Sequence, residues 1–244
     1  MRVAVVREPL DGWDAGGTRL SLGDYRADFR VTESRITEQD SWKLERRQHF
    51  RQPGSASWEA FTRGQWAEAL RLIEARREPL MEFGSATAEK GTGLYRLRVV
   101  AEPIIPYLQW ELHSLRLRAE CGERIRILPA AAVRQLEDDG ELPEVVTLGP
   151  STAYHILYDA DGLLTGGVKV TNPQAVGRVT RLIRRLYEEG EDLATFFERE
   201  VSPLPPPHGY LCPRQDSARE HVTPCDDVGT AVRAPDQSVA GSPG

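Results

Sequence analysis

One strand–helix–strand segment limits what this chain can fold into more than any other feature. Residues 94–102, LYRLRVVAE, alternate apolar and charged side chains with the period of two that is typical of a β-strand. Two prolines end this strand, and residues 107–121 continue with helical periodicity. A second strand, residues 123–128, follows directly after Gly122. This compact order predicts two parallel strands that are joined by a right-handed crossover.

Further strand patterns lie on the C-terminal side of this segment. Residues 145–148, 153–158 and 163–170 read as strands, and the Asp161-Gly162 turn predicts that the last two form a hairpin. A long helix is predicted after Pro173, with apolar residues along one side. We therefore predict an α/β fold that contains a mixed sheet, a βαβ crossover, a β-hairpin and packed helices.

The same patterns divide the chain into three parts. Residues 1–40 contain scattered glycines and no sustained period, which predicts a loosely structured N-terminal arm. Residues 41–200 carry the periodic segments and form the predicted main domain, with a small-residue loop at 84–93. In residues 201–244 proline, glycine, serine and aspartate dominate, so we expect a disordered, Pro-rich tail.

Composition narrows the class of protein. The net charge of -6 argues against a protein that coats nucleic acid through bulk positive charge. The apolar N-terminal stretch is too short for a signal peptide, and no stretch approaches the roughly 20 apolar residues of a membrane span. Three cysteines without a secretion signal predict reduced thiols. We expect a cytoplasmic protein that does not bind a membrane.

Arginines alternate with apolar residues on both strands of the crossover unit. Alternation puts Arg96 and Arg98 on one side of the first strand, and Arg124 and Arg126 on one side of the second. If the strands are neighbours, four guanidinium groups lie side by side and the crossover helix covers the apolar face. Arginine forks bind phosphate and carboxylate groups. We interpret this face as a candidate site for an anionic ligand or a nucleic acid.

Acidic and aromatic residues near these arginines leave two interpretations open. Glu102 and Glu111 are candidate general bases if the arginines hold a substrate, but with Glu123 they are also candidates for a structural ion-pair network, which we favour. Tyr107, Trp110 and Glu111 follow the carboxyl end of a strand, where parallel sheets bind ligands, although the two aromatic residues also suit a core. The candidate ligand-binding residues are Arg96, Arg98, Arg124, Arg126, Glu102, Tyr107, Trp110 and Glu111.

Motifs for catalysis and metal binding give an enzyme little support. The chain has no GxSxG, GxxxxGK or GxGxxG segment. His155 and Asp159 lie about 13 Å apart along one predicted strand, too far for a hydrogen-bonded dyad. The tail carries two His-x3-Cys pairs, which we attribute to chance because few apolar residues surround them: His208, Cys212, His221 and Cys225. We predict no catalytic residue, no metal site and no cofactor.

Five segments resemble a known family. SWKLERRQHF, SWEAFTRGQW, RLRVVAEPIIPYLQWELH, LPEVVTLG and AYHILYDADG are similar to domain of unknown function 6879, an uncharacterised actinobacterial family. The resemblance spans about residues 40–198 and implies a single domain, with no activity for any residue. Family members are often encoded near helix-turn-helix regulators, which implies a regulatory context. A weaker similarity, to half of a phospholipase-D-like domain, lacks that superfamily's catalytic pattern because Leu157 stands where a lysine would follow His155.

These observations leave three functions open. The one we favour is a non-catalytic, cytoplasmic regulatory or interaction protein that binds a protein partner or an anionic ligand. The second is a phosphate-directed hydrolase or transferase that uses the arginine face. The third is a nucleic-acid-binding regulator, for which the acidic residues 188–192 are unfavourable neighbours. Its candidate contacts are the arginines of the last long helix: Arg178, Arg181, Arg184 and Arg185.

Overall fold

The protein folds around one eight-stranded mixed sheet. The computed structural model describes residue 10, residues 12–138 and residues 140–207. The strands are β1 (Thr18–Ser21), β2 (Ser41–Glu45), β3 (Leu94–Val100), β4 (Arg124–Pro129), β5 (Val145–Leu148), β6 (Thr152–Tyr158), β7 (Leu164–Val170) and β8 (Glu191–Asp192). The helices are α1 (Leu22–Ser34), α2 (Ala56–Thr62), α3 (Trp66–Glu74), α4 (Arg77–Glu89), α5 (Pro106–Glu120), α6 (Ala130–Val133), α7 (Pro173–Glu189) and α8 (Leu193–Phe196). The predicted α/β class is confirmed.

The strand order is β1-β7-β6-β5-β2-β3-β4-β8. β2, β3 and β4 run parallel, and α5 connects β3 to β4, as the strand–helix–strand pattern predicted. β5, β6 and β7 pair antiparallel, and the predicted hairpin turns at Gly162, whose φ of 83° suits glycine. Within the described part of the chain, no helix is long and apolar enough to cross a membrane.

Side-chain alternation gives the sheet two faces with separate apolar cores. One, called the α5 face below, is covered by α5 together with α1–α4 and α8, and it includes Ile125 and Ile127 of β4. The other, called the α7 face, is covered by α6 and α7, and it includes Leu97 and Val99 of β3. The position of any strand residue therefore decides which set of helices it contacts.

The N-terminal region differs from the prediction of a loose arm. β1 pairs with β7, and α1 buries Tyr25 and Phe29 against Tyr154 of β6. These are the two buried residues of α1, and they lie one turn apart, so the apolar pattern was too sparse to indicate a helix. Of the predicted tail, residues 201–207 are described, and the two predicted His-x3-Cys pairs lie outside the described residues.

The segment predicted as a loop at 84–93 is also corrected, because α4 continues to Glu89. Gly84 lies inside this helix, where α4 contacts the end of α5. A Cβ atom at Gly84 would stand 2.1 Å from the carbonyl oxygen of Cys121. The small side chain that suggested a loop is therefore explained by close packing between two helices.

We expect Gly84→Ala to destabilise the protein by about 1–3 kcal/mol, because the added methyl group forces α4 away from α5. Gly23→Ala in α1 is the matched control. Nothing lies within 4 Å of a Cβ atom at Gly23, so this variant should gain about 0.4–1 kcal/mol through lower unfolded-state entropy. Urea unfolding measures both changes, and equal effects of the two substitutions would contradict the close contact.

Candidate ligand cavity

The four arginines of the predicted anion site do not lie side by side. The register of β3 and β4 pairs Arg96 with Ile125 and Leu97 with Arg126. Paired residues of neighbouring strands share a side of the sheet. The β3 arginines therefore lie on the α5 face and the β4 arginines on the α7 face. The prediction of one arginine face is wrong because alternation along each strand does not determine the register between strands.

The β4 arginines interact with the aromatic end of the α7 face. Arg124 Nη1 donates to Tyr95 Oη at 2.7 Å. Arg126 Nη1 donates to the carbonyl oxygens of Tyr187 and Glu188 at 3.3 and 3.2 Å, at the C-terminal end of α7. Cations suit this end of a helix because its carbonyl groups carry partial negative charge.

The arginines of α7, the candidate nucleic-acid contacts, are presented next to this cluster. Arg181 and Arg184 are exposed, and the Arg184 guanidinium carbon lies 5.2 Å from the centroid of the Trp42 ring. Glu191, from the neighbouring acidic run, forms an ion pair with Arg199. Glu191 is therefore paired with an arginine that lies outside α7.

The β3 arginines are buried under α5, which corrects the prediction that the crossover helix covers an apolar face. Arg96 and Arg98 are 2% and 0% exposed. Arg96 Nε donates to Glu123 Oε1 at 2.5 Å, and Arg96 Nη1 donates to both carboxylate oxygens of Glu45 at 2.8 Å. Lys43 Nζ lies 2.7 Å from Glu45 Oε1. β2 therefore supplies a cation and an anion to a buried ion-pair network.

Arg98 pairs with Glu111 of α5 in the same network. Its Nε and Nη2 lie 2.8 and 2.7 Å from Glu111 Oε2, and its Nη1 donates to the carbonyl oxygen of Val99 at 3.0 Å. Tyr107 Oη donates to Glu111 Oε1 at 3.0 Å and accepts from Gln52 Nε2 at 2.9 Å. These contacts agree with the structural interpretation of Glu111 and Tyr107 that the sequence left open.

The other predicted site residues lie apart from this network. Trp110 Nε1 donates to Ser57 Oγ at 2.9 Å, and its ring stacks on Phe61 in the core. Glu102 is exposed in the connection between β3 and α5. On the α7 face, His155 Nδ1 lies 2.7 Å from Asp14 Oδ2, a partner that sequence spacing could not indicate because it comes from the N-terminal region.

Burial and pairing shift pKa values within the network in opposite directions. Burial opposes ionisation of Glu45, but the attraction of Arg96 and the other nearby cations outweighs it and lowers the pKa. For Glu111 burial outweighs the attraction of Arg98, so its pKa is raised. Burial also raises the pKa of Glu144 to about 7. Several nearby cations therefore outweigh burial at Glu45, whereas the pairing with Arg98 does not outweigh burial at Glu111.

A cavity of about 80 Å³ lies at one end of the network, between α1, α4 and the α5 face of the sheet. Its apolar wall includes Phe29 of α1, Phe83 of α4, Leu94 of β3, Val146 of β5 and Ile156 of β6. A cavity needs a volume of about 10–15 Å³ to hold one water molecule. The cavity therefore has room for several waters or one compact organic molecule.

Charged residues of the network border this apolar space. Lys43, Arg96 and Arg118 line the cavity, and so does Lys90, which is exposed just after α4. The acidic residue in the lining is Glu33 of α1, and burial raises its pKa to about 7. The lining thus combines a hydrocarbon wall with an excess of positive charge, which is an arrangement suited to an anion with an apolar body.

A second cavity, of about 130 Å³, adjoins the first beneath α4. The two share Phe83, Thr87, Leu94 and Arg118 among their lining residues. Arg124 and Glu123 border the second cavity. The two cavities therefore lie side by side beneath α4, with charged residues at the border of each.

The family model described as Domain of unknown function (DUF6879) matches residues 28–198. The chain belongs to this family. A comparison with curated proteins finds no match. The DUF6879 match begins within α1, so it includes more of the N-terminal region than the resemblance read from the sequence. Every residue that lines the two cavities lies inside the matched range.

Sequence reasoning missed Lys43, Glu45 and Glu33. The segment SWKLE alternates charged and apolar residues in the same way as the β3 segment, and this signal was present for Lys43 and Glu45. No local signal indicated that Glu33 borders a cavity, because its position depends on how α1 packs across the sheet.

We expect Glu111→Leu to destabilise the protein by about 3–5 kcal/mol, because it leaves Arg98 buried without its anionic partner. The double variant Arg98→Met/Glu111→Leu should recover most of this loss. Glu68→Gln is the control, since Glu68 pairs with Arg71 on the exposed side of α3, and its urea midpoint should equal that of the wild type. If the double variant did not recover the stability that Glu111→Leu loses, the ion-pair account would be contradicted.

Proposed function

We propose that this protein is a non-catalytic, cytoplasmic regulatory domain that binds a small anionic molecule in the cavity beneath α4. The observation that carries the proposal is the combination of an apolar wall with buried cations in one cavity. Ligand sites in proteins are typically concave and apolar, with a few polar groups that fix orientation. The location of the site differs from the open sheet face that the sequence suggested.

Arg96, one of the arginines that the sequence predicted as ligand-binding, is central to this proposal. Arg96 borders the cavity while its other nitrogens hold Glu45 and Glu123. These ion pairs fix the guanidinium group before a ligand arrives. Binding to a pre-organised group loses less conformational entropy than binding to a free surface side chain.

A phosphate-directed hydrolase of the phospholipase-D-like kind is less well supported. That activity needs a carboxylate and arginines that converge on a reacting group. Glu45 and Glu111 both bind arginines inside the protein, and Glu102 is exposed away from the network. A regulatory role in which ligand binding alters contacts with a partner protein requires no such general base.

Thermal shift against nucleotides, sugar phosphates, organic acids and short DNA tests the proposal. A small anion present at about 100 times its Kd should stabilise the protein by about 2.7 kcal/mol and raise its Tm. Thr87→Leu adds volume between the two cavities and should abolish the shift. Ser85→Leu, on the exposed side of α4, is the matched control and should retain it.

Two outcomes would contradict the proposal. Stabilisation by DNA alone, unaffected by Thr87→Leu, would direct attention to the arginines of α7. Stabilisation by a small anion that Thr87→Leu leaves unchanged would place binding outside the cavity.

A further inference from the structure

We infer that the ligand of this cavity is a compact monocarboxylate with an aromatic or branched hydrocarbon body. This inference rests on the proposed function and names its ligand class. It is drawn from three features of the cavity: one arginine edge that lacks an acceptor, the nature of the wall, and the charges already present.

The first feature is the hydrogen bonding of Arg96. Its Nε donates to Glu123 and its Nη1 to Glu45, whereas Nη2 makes no hydrogen bond within the described part of the chain. The residue is 2% exposed and borders the cavity. Nη2 is not among the fully buried polar atoms without a partner, so it is accessible from the cavity and can donate to a ligand there. A ligand carboxylate at this edge would supply the missing acceptor.

Two neighbours of Arg96 can share the bound carboxylate. Ser41 is the first and Lys43 the middle residue of β2. Both lie on the same face, opposite Leu94 and Arg96 in the register, and both line the cavity. A hydroxyl group and an ammonium group donate hydrogen bonds to carboxylate oxygens. These groups form the polar end of the cavity.

The second feature is the wall opposite this polar end. Phe29 and Phe83 project from two different helices, and Val146, Leu148 and Ile156 come from two adjacent strands. These side chains have no hydrogen-bonding groups for a sugar or a base, and a cavity of about 80 Å³ is too small for a nucleotide. A phenyl ring or a short branched chain matches its size and polarity.

The third feature is the charge that the ligand would meet. Arg96 already binds the carboxylates of Glu45 and Glu123, so a second negative charge on the ligand would be repelled at close range. A monoanion is therefore favoured over a phosphate dianion. A neutral ligand is disfavoured for a different reason, because it would leave the arginine edge without a charged acceptor.

Glu33 adds a pH dependence to this recognition. Its carboxyl borders the cavity together with Lys43, Lys90, Arg96 and Arg118. Lys90 lowers its pKa against the larger effect of burial, and Glu33 in turn adds to the effect of burial in raising the pKa of Tyr25 on the same helix. Because burial raises the pKa of Glu33 to about 7, its carboxyl loses its proton between about pH 6 and pH 8. Ionised Glu33 repels an anionic ligand, so binding should weaken as the pH rises through this window.

Calorimetric titration of the full chain with benzoate, benzamide and phenyl phosphate tests the inference. These three probes share a ring and differ in charge. We expect benzoate to bind at least tenfold more tightly than either of the others, and Thr87→Leu to remove benzoate binding while Ser85→Leu preserves it. Benzoate affinity should rise several-fold from pH 8 to pH 6 in the wild type and stay constant in Glu33→Gln.

The outcomes separate this inference from the broader proposal. Equal or tighter binding of phenyl phosphate or benzamide, sensitive to Thr87→Leu, would overturn the carboxylate assignment and leave the ligand-binding function standing. Failure of all three probes together with the branched carboxylate 3-methylbutanoate would also overturn it. If, in addition, no small anion of any class bound in the thermal-shift experiment, the proposed function itself would fail.

Discussion

The requirement that buried charges be paired governs the central part of this structure. Arg96 and Arg98 lie under α5, where an unpaired ion would cost several kcal/mol of desolvation free energy. Their partners come from three elements that are distant in the chain: Glu45 in β2, Glu111 in α5 and Glu123 just before β4. β2, β3, α5 and β4 must therefore assemble in one register before the network is complete.

This network also determines where a ligand can bind. On one side it is enclosed by the core of α2, α3, α5 and α8, and on the other it borders the space beneath α4. Ion pairs hold the cations rigidly at the edge of that space. α4 covers it through one buried residue, Leu80, and through the close contact at Gly84. The fold thus places cations held by ion pairs next to an apolar cavity, and the helix above that cavity has one buried residue.

The sequence predicted the parts of this arrangement that depend on local patterns. Period-two alternation identified β3 and β4, helical periodicity identified α5, and the Asp161-Gly162 turn identified the hairpin. The same alternation named Arg96 and Arg98 as important. It could not show that these arginines are buried, since alternation reports which residues share a side and not what covers that side.

The candidate site was beyond prediction for a related reason. α1 and α4 have few buried residues, so their patterns resembled an arm and a loop. The cavity exists only because these two helices, about 40 residues apart in the chain, pack against the same face of the sheet and bring Glu33 and Phe83 to one space. Tertiary packing of weakly amphipathic helices has no local sequence signal.

The most direct test of the account is the NMR signal of the Arg96 guanidinium group, followed as benzoate is added to saturation. The account predicts that the Nη2 resonance of Arg96 moves, because the ligand carboxylate becomes its acceptor. The resonances of Arg98, which does not line the cavity, should stay in place. An unchanged Arg96 signal in the presence of bound benzoate would contradict the assignment of this edge as the ligand's binding group.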